Sequence, residues 1–135
     1  MEAEAEGNFT MKANDFLIPP DKETTYGYFC FSEADLLALG VPIDQDLHTV
    51  GVEPVVDPRA KEYVHHFLVD ASTEAWDLSL DCEEDFSGTD LAYVWAPGDL
   101  PMHLPENVGG PLGVSGFKSF RIEVHYNNPT FDSGI

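Results

Sequence analysis

Along Lys118–Tyr126 apolar and polar residues alternate, so that Phe120, Ile122 and Val124 fall on one face of an extended chain while Arg121, Glu123 and His125 fall on the other. The first face suits a core, and the second is free to carry chemistry at the end of the strand. Similar short apolar or alternating runs occur at Phe9–Ala13, Tyr26–Phe31, Leu47–Val52, Tyr63–Asp70 and Ala92–Trp95. Turn-forming breakers separate them: Pro19-Pro20, Asp57-Pro58, Ala96-Pro97-Gly98, Gly109-Gly110-Pro111 and Asn127-Asn128-Pro129. One stretch reads differently. Ser32-Glu33-Ala34-Asp35-Leu36-Leu37-Ala38-Leu39-Gly40 offers a capping serine, early acids, an apolar stripe and a terminal glycine, which predicts about two helical turns. Many short strands and at most one short helix predict an all-β, antiparallel sandwich.

The chain has 135 residues, the size of one domain, with 43% hydrophobic and 12% aromatic residues, enough to build a core. No repeat or linker divides it. Residues 1–7, an alternation of acid and alanine ending in glycine, are expected to be a disordered leader or tag, and residues 8–135 a single domain. Charge changes the picture more. Twenty-five acids against six Lys and Arg give a formal net charge of −19, and such a surface repels phosphate backbones and anionic lipid. Nucleic acid is therefore excluded as a partner. Membrane insertion is excluded as well, because no apolar run reaches the length of a span. The two cysteines, Cys30 and Cys82, are too far apart for a C-x-x-C motif and are either one disulfide or two buried thiols. The sequon Asn8-Phe9-Thr10 is compatible with secretion.

Candidate chemistry rests on the histidines, His48, His65, His66, His103 and His125. Imidazole is a borderline ligand, and three neutral rings at one point suit copper or zinc. Adjacent residues on a regular strand point to opposite faces, so His65 and His66 can share a metal only where the strand bends, bulges or runs at an edge. The bland alternative has one ring in the core and one in water. Other chemistries lack their signatures: there is no G-x-S-x-G elbow, P-loop or H-E-x-x-H helix. The acid-rich Asp81-Cys82-Glu83-Glu84-Asp85 lacks EF-hand spacing and reads as a solvated loop. Trp76 and Trp95 are read as core residues.

Four stretches, taken in order, resemble the first domain of the copper type II, ascorbate-dependent monooxygenases, the family of dopamine beta-hydroxylase and peptidylglycine alpha-hydroxylating monooxygenase. They are Thr24-Thr25-Tyr26-Gly27-Tyr28-Phe29-Cys30; Val64-His65-His66-Phe67-Leu68, preceded by Val52-Glu53-Pro54; Trp95-Ala96-Pro97-Gly98 with Leu104-Pro105-Glu106-Asn107-Val108-Gly109; and Glu123-Val124-His125-Tyr126-Asn127-Asn128-Pro129 with Asp132-Ser133-Gly134-Ile135. The resemblance implies a jelly-roll-like sandwich holding one type II copper, Cu(I)/Cu(II), on His65, His66 and His125, with ascorbate as reductant. It leaves His48 and His103 outside the ligand set. It also implies a Cys30–Cys82 disulfide, which fits the secretory lumen or extracellular space.

The departures matter too. Asp70-Ala71-Ser72 stands where relatives carry a cysteine, and Met11 and Met102 have no His-x-His neighbour. The family's second copper domain, where substrate is hydroxylated, is expected to be absent here or supplied by a longer natural protein. Three readings follow: a domain of a copper monooxygenase acting on a small-molecule or peptide substrate, a non-catalytic copper-binding or electron-transfer module, and a sandwich that has lost its metal.

Overall fold

The structure, a computed structural model, describes residues 7–13, 16–77, 79–86, 90–98, 101–104 and 110–133. Residues 1–6 of the expected leader and the Pro105–Gly109 and Gly134-Ile135 portions of the quoted motifs lie outside the described residues. Four strands form the main antiparallel sheet in the order β1-β8-β4-β5: β1 (Thr24–Phe31), β8 (Ser119–Asn127), β4 (Val64–Ser72) and β5 (Asp90–Trp95). Two short ribbons complete the fold, β2 (Asp46–Thr49) with β7 (Gly110–Gly113) and β3 (Gly51–Val52) with β6 (Met102–His103), each antiparallel. The protein is thus an all-β antiparallel sandwich, with one short helix among the described residues, α1 (Glu33–Ala38).

The alternation read in β8 is the alternation of the core. Phe120, Ile122, Val124 and Tyr126 are buried, and they join Val64, Val69 and Ala71 of β4 with Tyr93 and Trp95 of β5. The same cluster takes in Leu112 of β7, Val41 and Ile43, and Leu36 of α1, with Leu47, Val52 and Met102 packed against it. Burial of this apolar surface is the main force holding sheet and ribbons together. The helix ends as its sequence asks. Ser32 Oγ accepts from Asp35 N at 3.2 Å while Asp35 Oδ2 accepts from Ser32 N at 2.8 Å, and Gly40 takes a φ of +90° just beyond the last turn.

Three expectations need correction. Phe9–Ala13 is not a strand: Phe9 and Met11 pack against the core, but the segment joins no ladder. Two apolar side chains suffice to dock a chain, whereas a strand also needs an unpaired edge to bond to. Leu47–Val52 is interrupted at Val50, giving β2 and β3 different partners. Gly110-Pro111, read as a breaker, lies in β7, where Pro111 stands opposite His48. A two-stranded ribbon leaves each strand an edge, and an edge tolerates the missing N–H of proline.

Candidate metal centre

On β8 the step from Tyr126 to His125 is one residue; on β4 the matching step runs from Val64 to His66, with the irregularity between them. His65 is therefore the extra residue of a β-bulge, the condition under which two adjacent histidines can serve one site. His66 lies directly opposite His125, which places both side chains on one face, and the bulge brings His65 round to join them. Alternation assigns that face: with Val124 and Tyr126 in the core, His125 must be on the opposite side of the sheet.

The three rings meet at close range. Centroids are 5.1 Å apart for His65 and His66, 4.7 Å for His65 and His125, and 4.8 Å for His66 and His125. One nitrogen from each lies within 4.8 Å of the others, and this is the group of possible metal donors found among the described residues. His65 Nδ1 and His66 Nδ1 face each other at 2.8 Å. Both cannot carry a proton at that distance: either one donates to the other, or both lone pairs point at a shared cation. Imidazole nitrogens bind first-row metals at about 2.0 Å, and two such bonds at right angles leave the nitrogens about 2.8 Å apart.

His125 supplies a second test of fit. Its Nδ1 is buried and has no hydrogen-bond partner among the described residues, an arrangement that is costly unless something else satisfies the nitrogen. Burial, and behind it the neighbouring His66 and His65, lower the pKa of His125 below the ordinary 6.5, against a weaker opposing effect of Glu123. The neutral imidazole so favoured is the form that ligates a metal. Donor type, spacing and the unpartnered nitrogen all fit one copper ion. The rim is open, with His65 exposed and His66 and His125 partly buried. Tyr26, opposite His125 on β1, stacks on its ring at 4.7 Å and 16°. Composition gave no hint of this contact; a register between the two strands would have been needed to find it.

The other histidines stand apart. His48 is exposed on β2, and His103 lies on β6 opposite Gly51, in a different ribbon. The same outer face holds a second polar cluster further along. Cys30 and Cys82 form a disulfide, closing the chain across 52 residues. Beside it Arg121 donates from Nη2 to Asp70 Oδ2 at 2.7 Å and from Nη1 to the Cys82 and Glu83 carbonyls, with its guanidinium 5.4 Å from the Tyr28 and Phe86 rings. Asp70, the first residue of the Asp70-Ala71-Ser72 stretch, is thus the partner of Arg121. The acidic loop caps itself: Asp81 Oδ1 accepts from the Glu83 and Glu84 amides, and Asp85 Oδ2 from the Asp81 amide. Trp95 is in the core as expected, while Trp76 packs on Phe86 outside that cluster.

Comparison with known proteins matches residues 9–133 to the family described as copper type II ascorbate-dependent monooxygenase, N-terminal domain. Tyramine beta-hydroxylase of Caenorhabditis briggsae is 30% identical over 129 residues, covering 86% of this chain and 20% of that protein. Dopamine beta-hydroxylase of Rattus norvegicus is 35% identical over 130 residues, 88% of this chain and 20% of that protein. DBH-like monooxygenase protein 1 of Gallus gallus is 30% identical over 129 residues, with coverage of 86% and 20%. The chain spans about a fifth of the length of these curated relatives.

Proposed function

Because the chain belongs to the copper type II, ascorbate-dependent monooxygenase family, we propose that it is the electron-transfer module of such a protein, holding one copper on His65, His66 and His125. The observation that carries this reading is the bulge at Val64–His66, which turns an adjacent histidine pair and a cross-strand partner onto one point. Bound there, copper supplies single electrons by passing between Cu(II) and Cu(I), with ascorbate as reductant; zinc, which fits the same donors, supplies none.

The protein's part is positional. β8 and β4 hold His125 and His66 as a cross-strand pair, Tyr26 covers one face of the His125 ring, and burial favours the neutral form of His125. The exposed side of His65 leaves a reductant access from solvent. Inserting one oxygen atom of O2 into a C–H bond while the other leaves as water consumes two electrons from the reductant. A single one-electron centre does not provide them together. Hydroxylation of a small amine or a glycine-extended peptide is therefore assigned to a longer protein with a second copper domain, and this chain alone is assigned copper binding and electron transfer. The Cys30–Cys82 disulfide supports a secretory-pathway location, and no helix among the described residues is long and apolar enough to cross a membrane.

Titration with Cu(II), followed by metal analysis and electron paramagnetic resonance, is expected to give one copper per chain, nitrogen hyperfine structure, and loss of the signal on adding ascorbate. A spectrum without nitrogen coupling overturns the ligand assignment. Ascorbate-dependent hydroxylation of a phenethylamine by this chain alone overturns the division of labour.

A further inference from the structure

The Asn127-Asn128-Pro129 turn and Asp132 form a hydrogen-bonded knot that the copper reading leaves unused. Asn128 is 1% exposed, and its side chain reads both backbone groups of Asp132: Oδ1 accepts from the Asp132 amide at 3.0 Å and Nδ2 donates to the Asp132 carbonyl at 2.9 Å. Nδ2 also reaches the Pro19 carbonyl, and the Asn128 amide donates to the Glu23 carbonyl at 2.6 Å, just before β1. Asp132 in turn accepts from the Tyr63 hydroxyl at 2.6 Å and from Thr130 Oγ1 at 2.7 Å. The Asn127 amide donates to the Tyr63 carbonyl at 2.6 Å, one residue before β4.

Three passes of chain are thereby tied at one point: the run into β1, the run into β4 and the run out of β8. Each lies within three residues of the site, since Glu23 precedes Tyr26, Tyr63 precedes His65 and His66, and Asn128 follows His125. A bulge leaves one residue unpaired and so weakens the local specification of register. A slip of one residue in β8 there would carry His125 to the other face of the sheet. We propose that Tyr63, Asn128 and Asp132 are positioning residues, a clasp that holds the end of the β4–β8 ladder in the register that gathers the three histidines. The link to copper rests on the function proposed above; the link to register does not.

Amide hydrogen exchange before copper is added, and copper resonance after it, test the clasp in the intact chain. In Tyr63→Phe and Asn128→Ala, exchange at Tyr126, Asn127 and Asn128 is expected to quicken about tenfold while Leu68, Val69 and Ile122 keep their protection. Copper affinity is expected to fall about tenfold, with a second copper species in the spectrum. Asp132→Asn, which retains an acceptor for Tyr63, is expected to stay close to the unmodified protein, unlike Asp132→Ala. Unchanged exchange at the strand end overturns the clasp, as does an equal acceleration through the whole sheet, which marks a merely structural role. If Asn128→Ala does not fold, Tyr63→Phe, which removes one oxygen atom, decides. Should the unmodified chain show no nitrogen-bound copper, the metal reading fails by itself and the exchange data still judge the clasp.

Discussion

The outer face of the main sheet carries polar side chains at two ends, four residues apart along β8, and they are built on opposite principles. Around Arg121 everything is answered: the guanidinium meets a carboxylate, two carbonyls and two aromatic faces, and a disulfide pins the covering loop beside it. Around His125 the capacity is left over, with one buried nitrogen unpartnered and two others facing each other across 2.8 Å. Both ends come from the same alternating strand. What sets the two ends apart is the hydrogen-bonding capacity that remains unsatisfied, and not polarity or burial.

The sharpest way to break this contrast is His125→Phe. It retains a ring for Tyr26 to stack on and removes the unpartnered nitrogen, so copper binding should be lost while the copper-free protein gains about 1 kcal/mol in urea unfolding. A loss of stability would mean that the nitrogen is satisfied after all. At the other end, Cys30→Ala with Cys82→Ala should cost about 4 kcal/mol, the chain-entropy value for a bridge across 52 residues. Arg121→Met should cost about 2–3 kcal/mol, because it leaves Asp70, with a side chain only 19% exposed, without its cation. Adding Asp70→Met should recover most of that, and neither change should alter the nitrogen hyperfine pattern of bound copper. If either does, the two ends are coupled.

The smallest effect concerns Tyr28, which stands between them. Burial first, then the charges of Glu123 and Glu83, raise its pKa above the usual 10, while Arg121 acts to lower it. Between pH 10 and the raised value the folded chain holds a proton that the unfolded chain has released. The stabilisation is complete below pH 10 and is lost as pH rises through that window. In Glu123→Gln an ultraviolet titration should find Tyr28 moved back toward 10, and in Arg121→Met moved further up.

Much of this was legible in the chain. Alternation through Phe120–His125 assigned the two faces of β8 before any partner strand was known, and Ser32 with Asp35 announced α1. The requirement that His65 and His66 sit on an irregular strand followed from side-chain geometry alone. Family resemblance, and not spacing, supplied His125 as the third member and Cys82 as the partner of Cys30. Other features were hidden for physical reasons. β7 was masked by Gly110 and Pro111, because a ribbon edge relaxes the rules that a central strand obeys. Phe9–Ala13 misled because docking two apolar residues mimics a strand. The partnership of Arg121 with Asp70 spans 51 residues and depends on strand order, which no local pattern encodes. Asn128 and Asp132 stood in a quoted motif, yet their role emerged only with the strand ends they tie.

The bulge at His65 has a consequence for how this chain can change by insertion and deletion. Losing His65 would restore an uninterrupted β4–β8 ladder and a regular alternation, so the sheet would accept the shorter strand. The same event would leave two imidazoles where there were three. Sheet regularity and the proposed metal centre therefore place opposite demands on the length of one strand, and a relative whose β4 is one residue shorter at this point is expected to fold as well and to bind copper less tightly.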